Sequence, residues 1–316
     1  MTNKLNTLFG TIILMLLCAL THLTYASNLP EPLLKAPIVL LSGDITRLAD
    51  YEGKQPVYFK FWATWCKPCR EQMPHFEHVQ QQYGERIKVI GINLGLEDDL
   101  ADVQAFMRKY KLTMPTAIDQ DGDLAQKFRL IGTPYHLLFD QNMNLVHRGH
   151  EADESLDNKL ALLASAGGVP SLGANVLAES EDDVVIDLND GRTHALFFTA
   201  TWCDWYLADT RPEVSKACIN AQNTVNTLYR THQVQAESKS TWQGLVSRLW
   251  TADQDLADYR KKYKIEHPVA IDKSNRLFHR YGISELPQLL VIKNGEVIGR
   301  TGDFENTQAI EALLAQ

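Results

Sequence analysis

Cys66-Lys67-Pro68-Cys69 places two thiols three positions apart. They follow the β-rich run Val57-Tyr58-Phe59-Lys60-Phe61-Trp62 and open the segment 69–83, where Met73, Phe76 and Val79 recur with helical spacing. In the first turn of a helix that spacing brings two sulfurs within disulfide range. The first thiol then sits at the helix N-terminus, where unpaired N–H groups and the helix dipole favour a thiolate. Lys67 adds a positive charge beside it, and Pro68 suits an early helical position. This is the equipment of thiol–disulfide exchange: Cys66 attacks a disulfide and Cys69 resolves the mixed disulfide. A zinc half-site and an inert structural bond are the other readings of the pair. Zinc needs two more ligands, and neither a second CxxC nor a well-spaced histidine pair supplies them.

The elements that must position this pair belong to a chain of 316 residues, the length of two ordinary domains. Apolar residues make up 45% and charged residues 22%, which is globular usage. The 31 basic against 39 acidic residues, with no dense Lys/Arg run, argue against a nucleic-acid partner. Residues 1–26 read as a cleavable signal peptide, with Lys4, an apolar run over 9–20 and a Thr24-Tyr25-Ala26 cleavage site. An uncleaved membrane anchor is the alternative, although the run is short for a span. Lipid attachment at Cys18 is disfavoured by Leu17. Export to the periplasm would put Cys66, Cys69, Cys203 and Cys218 in an oxidising compartment.

The chain repeats itself. Ala63-Thr64-Trp65-Cys66 recurs as Ala200-Thr201-Trp202-Cys203. Pro115, Asp119, Pro134 and Gly149 then recur as Pro268, Asp272, Pro287 and Gly302, all four at one constant and somewhat larger offset. One domain copied twice explains landmarks that hold an offset, with an insertion in the second copy between its cysteine and Pro268. The division is 27–166 for the first domain, 167–175 for a linker around Gly167-Gly168-Val169-Pro170-Ser171, and 176–316 for the second. Strands at 57–62 and 87–94, helices at 69–83, 100–110 and 157–163, and a strand pair around the Gln141-Asn142 turn suggest an α/β fold: a mixed central sheet flanked by helices.

Phe61-Trp62-Ala63-Thr64-Trp65-Cys66-Lys67-Pro68-Cys69-Arg70, then Met73-Pro74, and later Ile131-Gly132-Thr133-Pro134, resemble the TlpA/ResA branch of the thioredoxin superfamily over residues 36–163. The resemblance implies two tandem thioredoxin-like domains, the first with an N-terminal extension, and periplasmic dithiol–disulfide exchange on protein substrates without a cofactor. It makes Cys66 the nucleophile and Cys69 the resolving thiol. Trp65, Lys67 and Pro68 support them, Pro134 is a cis-proline shaping the groove, and Thr133 offers main-chain bonds to an extended peptide. It also implies a partner redox protein, membrane-linked by analogy, and favours reductase or isomerase over oxidase. Two positions depart from the pattern: Lys60 stands where a buried acid is usual, and Gln72 where many members have Glu.

In the second copy Tyr206 replaces the resolving cysteine and Asp204 replaces Lys67, so the CxxC chemistry is gone. Cys203 and Cys218 are a candidate disulfide if Pro212 breaks the intervening helix; the alternatives are two buried thiols or a non-CxxC redox pair. Trp242, Leu245, Val246 and Leu249 fit a helical stripe in the insertion, placed at 237–250. That stripe either packs on its own domain or, with Trp250, forms a partner-binding patch. His75/His78 and His147/His150 read as solvated surface histidines rather than metal ligands, and the acidic run 179–183 as a solvated turn. The second domain is then a substrate- or partner-binding module. A non-catalytic chaperone or assembly factor, holding extended chains in both grooves, is the alternative from a different class.

Overall fold

The computed structural model describes residues 27, 29–173, 184–234 and 240–315. The expected signal peptide with Cys18, the end of the linker, the acidic run 179–183 and the start of the proposed insertion lie outside the described residues.

A short helix α1 (Glu31–Leu34) and a two-stranded ribbon, β1 (Ile38–Val39) with β2 (Ile45–Thr46), precede the first sheet. The sheet starts with β3 (Val57–Trp62), followed by α2 (Lys67–Tyr83), β4 (Lys88–Asn93), α3 (Leu100–Tyr110), β5 (Thr116–Ile118) and α4 (Asp123–Lys127). The hairpin β6 (Tyr135–Phe139) and β7 (Leu145–Gly149) and helix α5 (Glu154–Ala164) close it. Strand order is β5-β4-β3-β6-β7, with β3 parallel to β4 and antiparallel to β6. All six residues of β3 are buried, because a central strand is covered on both faces. Phe59 and Phe61 pack against Phe128, and truncating such a ring costs about 3–5 kcal/mol. Asp140 makes the hairpin turn, its carboxylate accepting from the Asn142 and Asn144 amides.

The second half repeats this topology. Its elements are β8 (Thr193–Thr199), α6 (Cys203–Tyr206), α7 (Pro212–Val234), β9 (Ser240–Ser247), α8 (Asp253–Tyr263), β10 (Val269–Asp272), α9 (Arg276–Arg280), β11 (Gln288–Lys293), β12 (Glu296–Thr301) and α10 (Thr307–Leu314). Strand order is β10-β9-β8-β11-β12, element for element that of the first sheet. The helix expected over Trp242, Leu245, Val246 and Leu249 is not there: residues 240–247 form strand β9, parallel to both β8 and β10. Burial on both faces gives a central strand apolar residues without a period of two, and that run imitates a helical stripe. The register shows where the extra residues sit. The offset that takes Pro115 to Pro268 also takes Lys88 to Thr241 and Asn93 to Val246, laying β4 on β9. The insertion therefore precedes Ser240, and the single helix α2 corresponds to α6 plus the longer α7.

The break between α6 and α7 also brings two cysteines together. Pro212 starts α7, so the chain reverses over 207–211 and Cys203 meets Cys218 at a Cα separation of 6.2 Å, joined by a disulfide. Both residues are buried. Closing a loop of that length is worth about 3 kcal/mol. Replacing both by Ala (Cys203→Ala with Cys218→Ala) is expected to lower unfolding stability by about that amount. A denaturant midpoint unchanged from the parent would refute the assignment.

Candidate active site

Cys66 caps α2. Its extended backbone follows β3, and its sulfur accepts from the Cys69 amide at 3.1 Å, satisfying one of the helix's orphan donors. The two cysteines are joined, with Cα atoms 5.2 Å apart. Lys67 and Pro68 fill the first two helical positions, Lys67 exposed and Pro68 half-buried. Thr133-Pro134 is a cis peptide facing the pair: the Thr133 carbonyl lies 3.5 Å from the Cys66 sulfur. Trp65 is buried, its indole N–H donating to the Leu96 carbonyl at 2.8 Å. Thus Cys66, Cys69, Trp65, Lys67, Pro68, Thr133 and Pro134 meet in one place, assembled by the β3–α2 junction and the loop before β6.

A polar layer lies beneath. Lys60, at the centre of β3, is wholly buried, with its ammonium 3.3 Å from Gln72 Oε1 and over the Phe76 ring. Gln72 sits one turn beyond Cys69. Its oxygen also accepts from His136 Nε2 at 2.9 Å, and its amide donates to the His150 carbonyl. Tyr58 donates to His136 Nδ1 at 2.6 Å, and His150 Nδ1 donates to the Pro134 carbonyl at 2.8 Å. Burial lowers the Lys60 ammonium to about 7, since a charge is poorly solvated there. Burial, then the Lys60 charge, holds His136 well below the usual histidine range, so it is the neutral Nε2–H tautomer. The histidines at 147 and 150 are therefore not free surface groups: the first is buried and the second half-buried. His147 is buried beside the Lys159 ammonium and His150 ties the cis-proline loop, because the hairpin turns both towards the sheet. His75 binds Asp157, and His78 is exposed. Among the described residues no three His, Cys, Asp or Glu side chains converge as metal ligands.

The second half lies face to face with this site. Trp65 stacks on Trp202, its counterpart in the second copy, with ring centroids 5.2 Å apart. Trp250 and Tyr206 each pack edge-on to both indoles. Each half donates one main-chain bond to the other's cis-proline loop. The Glu97 amide donates to the Ser284 carbonyl at 2.9 Å, and the amide of Trp250, the matching position of the second copy, donates to the Ile131 carbonyl at 2.8 Å. Glu97 Oε1 accepts from the amide of Leu286, which precedes the second cis-proline, Pro287. Burial pushes the Glu97 carboxyl up to about 7, against the lowering effect of that N–H. Arg211 reaches Asp98 at 3.1 Å, Asp102 at 3.0 Å and the Thr64 hydroxyl at 3.0 Å. The phenol of Tyr206 accepts from the Lys67 amide at 3.1 Å.

Sequence reasoning placed the thiols and the cis-proline but missed Glu97, Arg211 and the Tyr58–His136–Gln72 chain. The repeat held a signal for Glu97: at the offset that relates the two prolines it pairs with Trp250, and neither belongs to a strand or helix. Asp204, at the position of Lys67 in the second half, takes the Lys262 ammonium at 2.6 Å and the Tyr263 hydroxyl.

Lys60 gives a test with a definite sign. Its folded value lies below the unfolded value of 10.5, so the unfolded chain binds the extra proton between pH 7 and 10.5 and stability rises with pH there. The swing is on the order of 5 kcal/mol. Lys60→Met is expected to be more stable than the parent at pH 7, with the gap closing towards pH 10. Denaturant titration at several pH values measures it, and a gap that does not move with pH contradicts the assignment.

Residues 30–148 match the AhpC/TSA family. The chain is 35% identical over 125 residues to the thioredoxin-like protein YneN of Bacillus subtilis, covering 39% of this chain and 72% of that one. It is 31% identical over 170 residues to the thiol-disulfide oxidoreductase ResA of Bacillus thuringiensis, covering 50% of this chain and 96% of that one. Among solved structures, StoA from Bacillus subtilis matches 40% of this chain and 94% of its own at 21% identity, with a TM-score of 0.36. With its CxxC at a strand–helix junction and relatives matched over most of their length, the chain belongs to the TlpA/ResA-like thiol-disulfide oxidoreductases of the thioredoxin superfamily.

Proposed function

We propose that this oxidoreductase works in the periplasm on protein substrates, in the reductase or isomerase direction, through Cys66 and Cys69. The observation that carries the reading is the Cys66–Cys69 pair at the N-terminus of α2 with the Thr133 carbonyl 3.5 Å from the first sulfur. The Cys66 thiolate attacks one sulfur of a substrate disulfide and the other leaves as a thiolate. The Cys69 thiolate then attacks the Cys66 sulfur, releasing the substrate's second thiolate. The substrate gains two electrons and the pair becomes the disulfide. A dithiol on a partner redox protein, membrane-linked in this reading, returns those electrons. The helix N-terminus and Lys67 lower the cost of the attacking thiolate.

The preference for reduction or isomerisation rests on the family resemblance and on Thr133 before Pro134. Export rests on the character of residues 1–26. The organisation proposed is 27–166 for the catalytic domain, 167–175 for the linker and 176–316 for a substrate- or partner-binding domain that kept the topology and lost the second thiol.

Cys66→Ser is expected to abolish disulfide reduction, and Cys69→Ser to accumulate a mixed disulfide with its clients. If Cys66→Ser loses turnover but keeps client binding and its cellular phenotype, the chaperone reading replaces this one. Acid-trapping in cells followed by mass mapping reads direction: Cys66 and Cys69 mainly as thiols fit a reductase or isomerase, whereas full oxidation points to an oxidase.

A further inference from the structure

Cys66 is the attacking atom of the reading above, yet it is fully buried, as are Cys69 and Thr133. A nucleophile with no exposed surface meets no protein disulfide. The second half of the chain lies on the residues around it: Tyr206 on the Lys67 amide, Trp202 on Trp65 and Trp250 on Gly132. We propose that this half is a displaceable, substrate-mimicking cap on the active site, and that a protein substrate reaches Cys66 only by taking the cap's place in the groove. The inference rests on Cys66 being the nucleophile.

Three contacts show the mimicry. Trp250, in a left-handed turn (φ 49°), donates its amide to the Ile131 carbonyl, two residues before the Thr133-Pro134 cis bond, and so takes the acceptor that an added strand would use. Its indole lies on Gly132 so closely that a Cβ there would stand 2.6 Å from the ring nitrogen. Tyr206 takes the Lys67 amide, one of the free donors at the helix N-terminus that would otherwise face the Cys66 thiolate. Together these occupy the main-chain acceptor, the apolar seat and the helix end that an extended chain flanking a cysteine would use. The substrate that fits the vacated groove is an unfolded segment carrying a large apolar side chain near its cysteine.

Beside the aromatic stack and an apolar cluster that runs through both halves, the polar contacts at the cap's edge are of a kind that can release. Arg211 is a quarter exposed and its partner Asp102 nearly half exposed, so water takes over that pair on opening, while Asp98, which is buried, keeps its bonds from Thr64 and Asn93. Glu97 is a half-buried carboxyl that the cap closes over, and water would solvate its charge better.

The test uses the full chain, reduced and then mixed with iodoacetamide. Cys66 alkylation is expected to be at least a hundredfold slower in the native protein than in the same protein in urea. Arg211→Ala and Trp250→Ala are each expected to raise the native rate tenfold or more. Native alkylation at the denatured rate, or variants within twofold of the parent, would overturn the proposal. Should either variant fail to fold, Cys69→Ser joined through Cys66 to a cysteine-containing, Trp-bearing peptide decides by small-angle scattering. An increased radius of gyration is expected, and an adduct as compact as the free protein overturns the cap. Variants that alkylate rapidly but still reduce no protein disulfide would leave the cap standing and sink the catalytic reading.

Discussion

The stack of Trp65 on Trp202 is the contact around which the active face is organised. Each indole is pinned by its own N–H to a carbonyl of its own half, Leu96 for one and Leu249 for the other. Each is also the residue just before the first cysteine of its copy. Stacking the two therefore brings two helix N-termini and two cis-proline loops into opposition. The two main-chain bonds from Glu97 and Trp250 join matching positions of halves with the same strand order. Where the copies have diverged, the symmetry breaks. Glu97 reaches past its backbone bond to hold the Leu286 amide, while Trp250 at the same position spreads an apolar ring over Gly132.

The polar layer under the first site shows a second constraint. A buried ammonium on the central strand must be neutral or bonded, and Lys60 bonds to Gln72. Gln72 can serve because its oxygen accepts from both Lys60 and His136, which in turn requires His136 to carry its proton on Nε2 and accept from Tyr58. Lys60, Gln72, His136 and Tyr58 are thus one unit spanning β3, α2 and β6. It ends at His150, which ties down the Pro134 carbonyl. The thiol pair and the cis-proline loop are held at a common height by this chain as well as by the strand ladder.

In the second half the same framework is kept by other means. The bond from Cys203 runs to α7 instead of to a neighbour three residues on, and Tyr206, at the resolving position, turns its phenol to the opposite active site. The second half has a disulfide that ties its helices together, and it packs the corresponding face against the first half.

Local order was legible from residue types. The strand at 57–62, the helix opening at the cysteines and the hairpin turn at Gln141-Asn142 follow from short-range patterns, because period, capping and turn chemistry act between residues a few positions apart. Fully buried segments defeat that logic: β9 reads as a helix stripe because a strand covered on both faces has no polar side to reveal its period. The thiol chemistry was legible too, since the spacing of two cysteines within one helical turn is a local matter. The burial of Cys66, the Glu97–Leu286 and Arg211–Asp98 contacts and the Lys60–Gln72–His136 chain were decided by tertiary structure alone. Each joins parts of the chain far apart in sequence, and no local preference encodes a distance that only the folding of a sheet or the docking of two halves creates.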